Sequence, residues 1–438
     1  MKSSSTRRVL LASAGIVALA VPLAACSGGG GSDDGNVEIS YLTQSDDANT
    51  NQAKALIAAF EKANPDITVK LETQPGGTEG DNLMKTKLST DSMNDVFHYN
   101  SGSLLQALNP DQTLVNLSDE DWVDGLTDDF KAVVSTDNGL YGAPWGTSFA
   151  GAVLYNKKVY EQLGLEVPTT WDEFIANSEK IKAEGGGVAP ILQSFGDTWT
   201  SQLFVLGDFY NVLAADPNFA TDYTAGKAKY ASTPAAMKGF ERQEEVFKAG
   251  YLNEDFAAAT FPDGVTKIAT GEGAHYPMLS FAVSNIKELA PEHINDVGFF
   301  AIPGDDAASN GLTTWMPAGL YIPKTSKHPA EAKAFVAFVA SIEGCDIQTQ
   351  SAGATGPYLV KGCTLPADVP PVVSDLLPYF QEGGHSAPAL EYLSPIKGPA
   401  LEQITVEVGS GIRSAADGAA LYDEDVKKQA QQLGLPGW

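Results

Sequence analysis

Five histidines, His98, His275, His293, His328 and His385, are scattered through 438 residues. None stands in an H-E-x-x-H or comparable spacing, so no zinc centre is expected. The serine of Gly146–Gly151 sits in G-x-S-x-x-G, whereas the strained turn that exposes a nucleophilic serine needs G-x-S-x-G. Asp47-x-Asn49-x-Asn51 imitates the start of a calcium loop. Gln52 stands where its bend needs glycine, however, and Ala58 where the bidentate glutamate belongs. No Walker sequence and no G-x-G-x-x-G occurs. Neither a metal nor a cofactor is called for.

Two enzyme readings need more weight. Ser284-Asn285-Ile286-Lys287 fits S-x-x-K, and Lys324-Thr325-Ser326 imitates the K-T-G box of penicillin-recognising enzymes. The S-D-N-type element between them is missing, so an exported acyl-serine enzyme using Ser284 stands as the rival reading. Glycoside hydrolysis would use paired acids such as Glu244 with Glu245 or Asp128 with Asp129. Nothing in sequence sets two carboxylates across a scissile bond, and solvated helix faces explain such runs.

The elements that must position any site begin after an export signal. Lys2, Arg7 and Arg8 precede an apolar run, Val9 to Ala25, broken by Pro22. This reads as a signal peptide over residues 1–25, not a membrane span. Leu23-Ala24-Ala25-Cys26 resembles the bacterial lipobox, which makes Cys26 the lipidated first residue of the mature chain. Residues 26–36, with Gly28 to Gly31, then form a flexible tether. Removing the leader takes the formal charge from −27 to −30, which repels nucleic acid and anionic headgroups. Membrane attachment must therefore come through the lipid. Only Cys345 and Cys363 remain, and outside the cell they are expected to pair, worth roughly 3 kcal/mol in the chain-entropy model.

Beyond the tether, strand-like and helix-like pieces alternate. VEISYLT (Val37 to Thr43), ITVKLET and DVFHY read as strands, with helices between them carrying Ala53, Leu56, Ile57 and Phe60 at helical spacing. That order implies an α/β fold with parallel pairing, and ligands at the carboxyl ends of strands, near Asp46, Thr78 and Asn100. Thr170 and Glu173 form a capping box for a helix ending at Gly185. A further helix starts at Pro329, with Phe335, Phe338, Val339 and Ile342 inward.

Several stretches together resemble the extracellular solute-binding proteins of ABC importers, in the carbohydrate-binding family that includes maltose-binding protein. They are AFEKANPDITVKLET, LYNKKVYEQLGL followed by TTWDEF, GEGAHYPMLSFAVSNI, GFFAIPG and AGLYIPKTSKHPAEAKAFVAFVAS. The resemblance implies a two-lobe periplasmic-binding-protein-like fold with a ligand cleft between lobes joined by hinge strands. Lobe one would hold 37–147 and 302–345, and lobe two 148–301 and 346–438. Pro144 to Ser148 and Phe300 to Pro303 become the hinge candidates. It further implies a monomeric receptor without catalysis, held by lipid on the outer face of the cytoplasmic membrane as in Gram-positive bacteria. Such a receptor delivers a carbohydrate, expected to be an oligosaccharide, to importer membrane subunits. A non-sugar small solute is the alternative within this family; a surface adhesion protein is one outside it.

A sugar offers an apolar C–H face and a rim of hydroxyls, so rings supply affinity and polar groups decide identity. Trp145, Trp199 and Trp315 sit beside glycine, proline or small polar residues, as cleft-facing loop residues would. The resemblance puts a stacking tryptophan at the position of Phe281, with Tyr276 as a substitute ring. Asp197, Asp46 and Asn100 are the main rim candidates, with Glu79 and Asp81 nearby, and His385 either reaches in from the last part of lobe two or stands on a surface loop. Trp122 and Trp171 are assigned to packing.

Overall fold

Eight residues of strand followed by seventeen of helix open the folded chain. The computed structural model describes residues 36–381 and 384–438; the leader, Cys26 and all of the tether but Asn36 lie outside the described residues. Strand β1 (Val37–Gln44) pairs parallel with β2 (Ile67–Gln74) over its whole length, and parallel with β3 (Val96–Tyr99) on its other edge. The crossover from β1 to β2 is helix Asp47–Ala63, whose Ala53, Leu56, Ile57 and Phe60 are buried. Four apolar side chains at that spacing lay one helix face on the sheet, at roughly 1.5–3 kcal/mol for each large one buried.

A short hairpin, β4 (Ser135–Thr136) and β5 (Gly139–Leu140), precedes β6 (Gly142–Trp145). The chain then changes sheet. β7 (Phe149–Asn156), β8 (Ala189–Ile191), β9 (Gly273–Leu279), β10 (Val297–Phe300) and β11 (Leu312–Trp315) build the second sheet. β12 (Ala318–Tyr321) returns to the first, between β3 and β6, and β13 (Ser386–Pro388) edges the second. The first sheet runs β2-β1-β3-β12-β6 and the second β13-β11-β7-β9-β8. One edge of β7 is shared: Phe149 to Gly151 pair with β11, and Val153 to Asn156 with β10.

Each sheet has its own core. Tyr41, Phe97 and Phe335 belong to one buried cluster, and Leu154, Tyr276 and Phe299 to another. A third, helical cluster around Phe240, Tyr230 and Tyr422 extends the second lobe. The architecture is a two-lobe α/β fold with a cleft between the lobes. Among the described residues no helix is long and apolar enough to cross a membrane.

Three expectations shift. The return to the first sheet falls at Met316–Pro317, not at Phe300 to Pro303, because β10 and β11 both pair antiparallel with β7 and keep the chain in the second sheet. The first core extends past 345 as well: Leu359 and Val360 are buried in it, and a disulfide joins Cys345 to Cys363 with Cα atoms 6.2 Å apart. Ile342 is exposed, not inward. The Pro329 helix stops at Val339, and Ser341 caps a new helix, Ile342–Ser351, accepting from the Gly344 N–H at 3.0 Å. That cap resets the helical phase, so the period cannot run through it.

Candidate functional site

The cleft holds about 660 Å³, within the range of small-molecule sites. Its first-lobe wall forms where β1, β2, β3 and β6 end, at Asp46, Gly76, Asn100 and Trp145, the carboxyl ends of the parallel strands included. The floor is where the chain changes lobes. Gly146 has φ +97°, a conformation that side chains disfavour, and this lets β6 turn into β7. Thr147 and Ser148 there clasp the later segment: Thr147 Oγ1 meets Thr355 Oγ1 at 2.9 Å, and the Ser148 N–H donates to the Pro357 carbonyl at 2.9 Å.

Trp145 is the aromatic of the first-lobe wall, nearly buried, its ring 5.7 Å from both Tyr41 and His98. Its Nε1 donates to Asn49 Oδ1 at 2.8 Å. The second-lobe wall is a continuous aromatic surface. Trp199 lies 5.2 Å from Phe261 and 6.1 Å from Phe281. Phe281 meets Phe149 edge-on at 5.4 Å, and Phe149 stacks on Trp315 at 6.5 Å and 7°. Gly151 makes room for that arrangement, because a Cβ there would collide with the Trp315 indole. Trp199, Phe281 and Phe149 are only half-buried, so flat apolar faces remain open to the cleft.

The polar rim alternates with these rings. Asp46 caps helix Asp47–Ala63 through the Asn49 N–H at 3.0 Å, and Asp197 accepts the Phe261 N–H at 2.7 Å. Glu391 accepts the Trp315 Nε1–H. Glu402 Oε2 accepts from Thr198 at 2.8 Å and from Thr78, on the opposite lobe, at 2.9 Å. Asn100 is exposed at the cleft edge and its carbonyl accepts the Tyr321 hydroxyl. Burial pushes the Asp81 carboxyl above the usual carboxylate range, against the pull of Lys85 and Lys397. His98, buried beside Trp145, is pushed down to about 4 by desolvation and is neutral at pH 7.

Of the residues singled out in sequence, Trp145, Trp199, Phe281, Trp315, Asp46, Asn100 and Asp197 line the cleft. Two do not. Tyr276 is fully buried beneath helix Phe261–Thr270, where Gly264 leaves space for its ring and Ser194 Oγ bonds its hydroxyl at 2.6 Å. His385 stands on the surface, stacked 6.5 Å from Tyr210 with Nδ1 against the Asn310 carbonyl. Phe149, Phe261, Glu391, Lys397 and Glu402 were not foreseen. Their local sequence looks like strand, helix start, ordinary charged helix surface or, at Lys397, a proline-glycine loop, and only the lobe geometry brings them together.

The serine motif dissolves in three dimensions. Lys287 Nζ donates to the carbonyls of Gln350 at 3.1 Å and Ser351 at 2.7 Å, at the end of helix Ile342–Ser351, and Lys324 Nζ to the Asp111 carbonyl. A cation at those orphan carbonyls is a helix C-cap, not a base for Ser284. Asp47, Asn49 and Asn51 all fall in the first turns of helix Asp47–Ala63. Among the described residues no group of three or more His, Cys, Asp or Glu side chains is placed to hold a metal.

Known proteins share this architecture. The chain is 27% identical over 361 residues to the multiple sugar-binding protein of Streptococcus mutans, covering 80% of this chain and 82% of that one. It is 28% identical over 330 residues to the diacetylchitobiose binding protein DasA of Streptomyces coelicolor, covering 69% and 70%. Among solved structures, SBP RafE in complex with raffinose superposes with a TM-score of 0.74 at 23% identity, covering 91% of this chain and 100% of that one. A chitin oligosaccharide binding protein does so at 0.79 and 21%, covering 90% and 99%. Those two likenesses establish the fold. The sequence profile of bacterial extracellular solute-binding proteins matches residues 46–344, and the chain belongs to that family.

Proposed function

We propose that this chain is the receptor of an ABC importer, capturing an oligosaccharide between its lobes. The observation that carries the reading is the facing of an open aromatic wall, Trp199, Phe281 and Phe149, by a rim of carboxylates across a 660 Å³ cleft. Pyranose C–H faces lie on such rings, each contact worth about 0.5–1.5 kcal/mol beyond burial, while the rim accepts hydroxyl hydrogens. Relatives whose names specify multiple sugars and diacetylchitobiose support the same cargo. Lobe one then comprises 37–145 and 318–363, and lobe two 149–315 and 364–438, hinged at Gly146–Ser148, Met316–Pro317 and the segment after Cys363. A ligand touching both lobes favours the closed form by its contacts with the second lobe, and the importer's membrane subunits read closure.

The receptor acts as a monomer and does no chemistry. Diacylation of Cys26 holds it on the outer face of the cytoplasmic membrane, and the glycine tether gives it reach. Titration of the mature chain with neutral oligosaccharides, followed by intrinsic tryptophan fluorescence, tests the cargo: a saturable change supports it, and a flat response across the series overturns it. Expression of the full chain with Cys26→Ala tests the anchor. Release from the membrane fraction into the medium is expected, and retention would contradict it.

A further inference from the structure

Resting on the carbohydrate reading, we infer that Asp81 sets the charge class of the ligand: the cleft takes saccharides without negative charge and rejects those bearing carboxylate or phosphate. Among the described residues the cleft is lined by the carboxylates Asp46, Glu79, Asp81, Asp197, Glu391 and Glu402, opposed among lysines and arginines by Lys397 alone. Four of these carboxylates are engaged by the protein itself. Asp46 and Asp197 accept backbone N–H groups, Glu391 holds the Trp315 indole, and Glu402 joins Thr78 to Thr198. Glu79 is exposed at the mouth.

Asp81 differs from all five. It sits one turn into helix Gly77–Ser89 with its carboxyl beside the buried Tyr99 hydroxyl. Lys85 on its own helix and Lys397 from the other lobe pull on it, and Glu402 opposes them. A carboxylate offers about four lone-pair sites, so one so placed has acceptor capacity left for ligand O–H or N–H groups, while desolvation by burial raises its pKa. An anionic sugar would bring a like charge against this cluster in a site partly shut off from water, where screening is weak. A neutral hydroxyl pair or a protonated amine meets no such cost.

Matched oligosaccharides that differ only in oxidation of C6 to a carboxylate provide the test, measured by calorimetry on the mature chain and on Asp81→Asn. The wild type is expected to bind the neutral member of a pair at least tenfold more tightly than the uronate. Asp81→Asn is expected to weaken the neutral member and to narrow that gap at least threefold. A structural role for Asp81 would lower affinity without changing the ratio, so an unchanged ratio overturns the inference. If Asp81→Asn folds poorly, the wild-type pair decides alone, and equal affinity for uronate and neutral sugar sinks the idea. Failure of every saccharide to bind would remove the carbohydrate reading itself, and this inference with it.

Discussion

Nε1 of Trp145 donates to Oδ1 of Asn49 at 2.8 Å, and the Asn49 amide donates in turn to Asp46 at 2.8 Å. A ring at the end of β6 is thereby fixed by the first turn of the helix that follows β1. Asn49→Ala leaves the indole N–H unpaired in a nearly buried position, at a cost of about 1–3 kcal/mol. A lower unfolding midpoint and a several-fold loss of ligand affinity are expected together. Loss of affinity at full stability would mean that Asn49 binds the ligand directly.

Trp199 and Phe281 should separate binding from folding in the opposite way. Both are half-buried and present a face to the cleft. Trp199→Ala and Phe281→Ala are each expected to weaken oligosaccharide binding roughly two- to tenfold, the range that an aromatic contact of about 0.5–1.5 kcal/mol spans. Trp145→Ala, by contrast, empties a packed site and should cost about 3–5 kcal/mol of stability. Comparing midpoints and dissociation constants across the three variants checks this ordering.

Glu402 is the link across the mouth. Its Oε2 accepts from Thr78 on one lobe and Thr198 on the other. Hydrogen bonds to a charged acceptor are worth about 1.5–3 kcal/mol, so Glu402→Ala should speed ligand release about tenfold or more and leave association little changed. Stopped-flow fluorescence reads both rates. A slower association with unchanged release would show that Glu402 steers the ligand and does not hold the lobes.

Acid should loosen the fold through two histidines. Burial holds His98 at about 4 and His275 at about 3, while both titrate near 6.5 when unfolded. Between those values the unfolded chain binds more protons, so stability is complete above pH 6.5 and falls as pH drops towards 4. His98 alone accounts for roughly 3 kcal/mol of that loss at most. His98→Gln should flatten the acid limb of a melting-temperature profile, and an unaltered limb would place the sensitivity elsewhere.

Much of this was legible in the residues. The helix face of Ala53, Leu56, Ile57 and Phe60, the Thr170–Glu173 capping box and the alternation of β1, β2 and β3 follow from spacing and local hydrogen bonding that the structure realises at the same positions. The lobe boundaries were less legible, because whether Leu312–Trp315 pairs with β7 or with β12's neighbours depends on partners more than a hundred residues away. Tyr276 and Phe281 show the same limit within the site. Both belong to one apolar stretch, yet strand alternation turns Tyr276 under helix Phe261–Thr270 while Phe281, beyond the strand, meets the cleft. Glu391 and Glu402 carried no signal at all, since each lies in a helix whose charge reads as surface.

The central claim is that the cleft captures a carbohydrate. Thermal unfolding of the mature chain against oligosaccharides, amino acids, peptides and polyols tests it most directly. A cognate ligand at a hundred times its dissociation constant adds about 2.7 kcal/mol and should raise the midpoint by several degrees. The expected result is a rise with one class of neutral oligosaccharide and with none of the other solutes. A rise with an amino acid or peptide, and silence from every saccharide, would contradict the account.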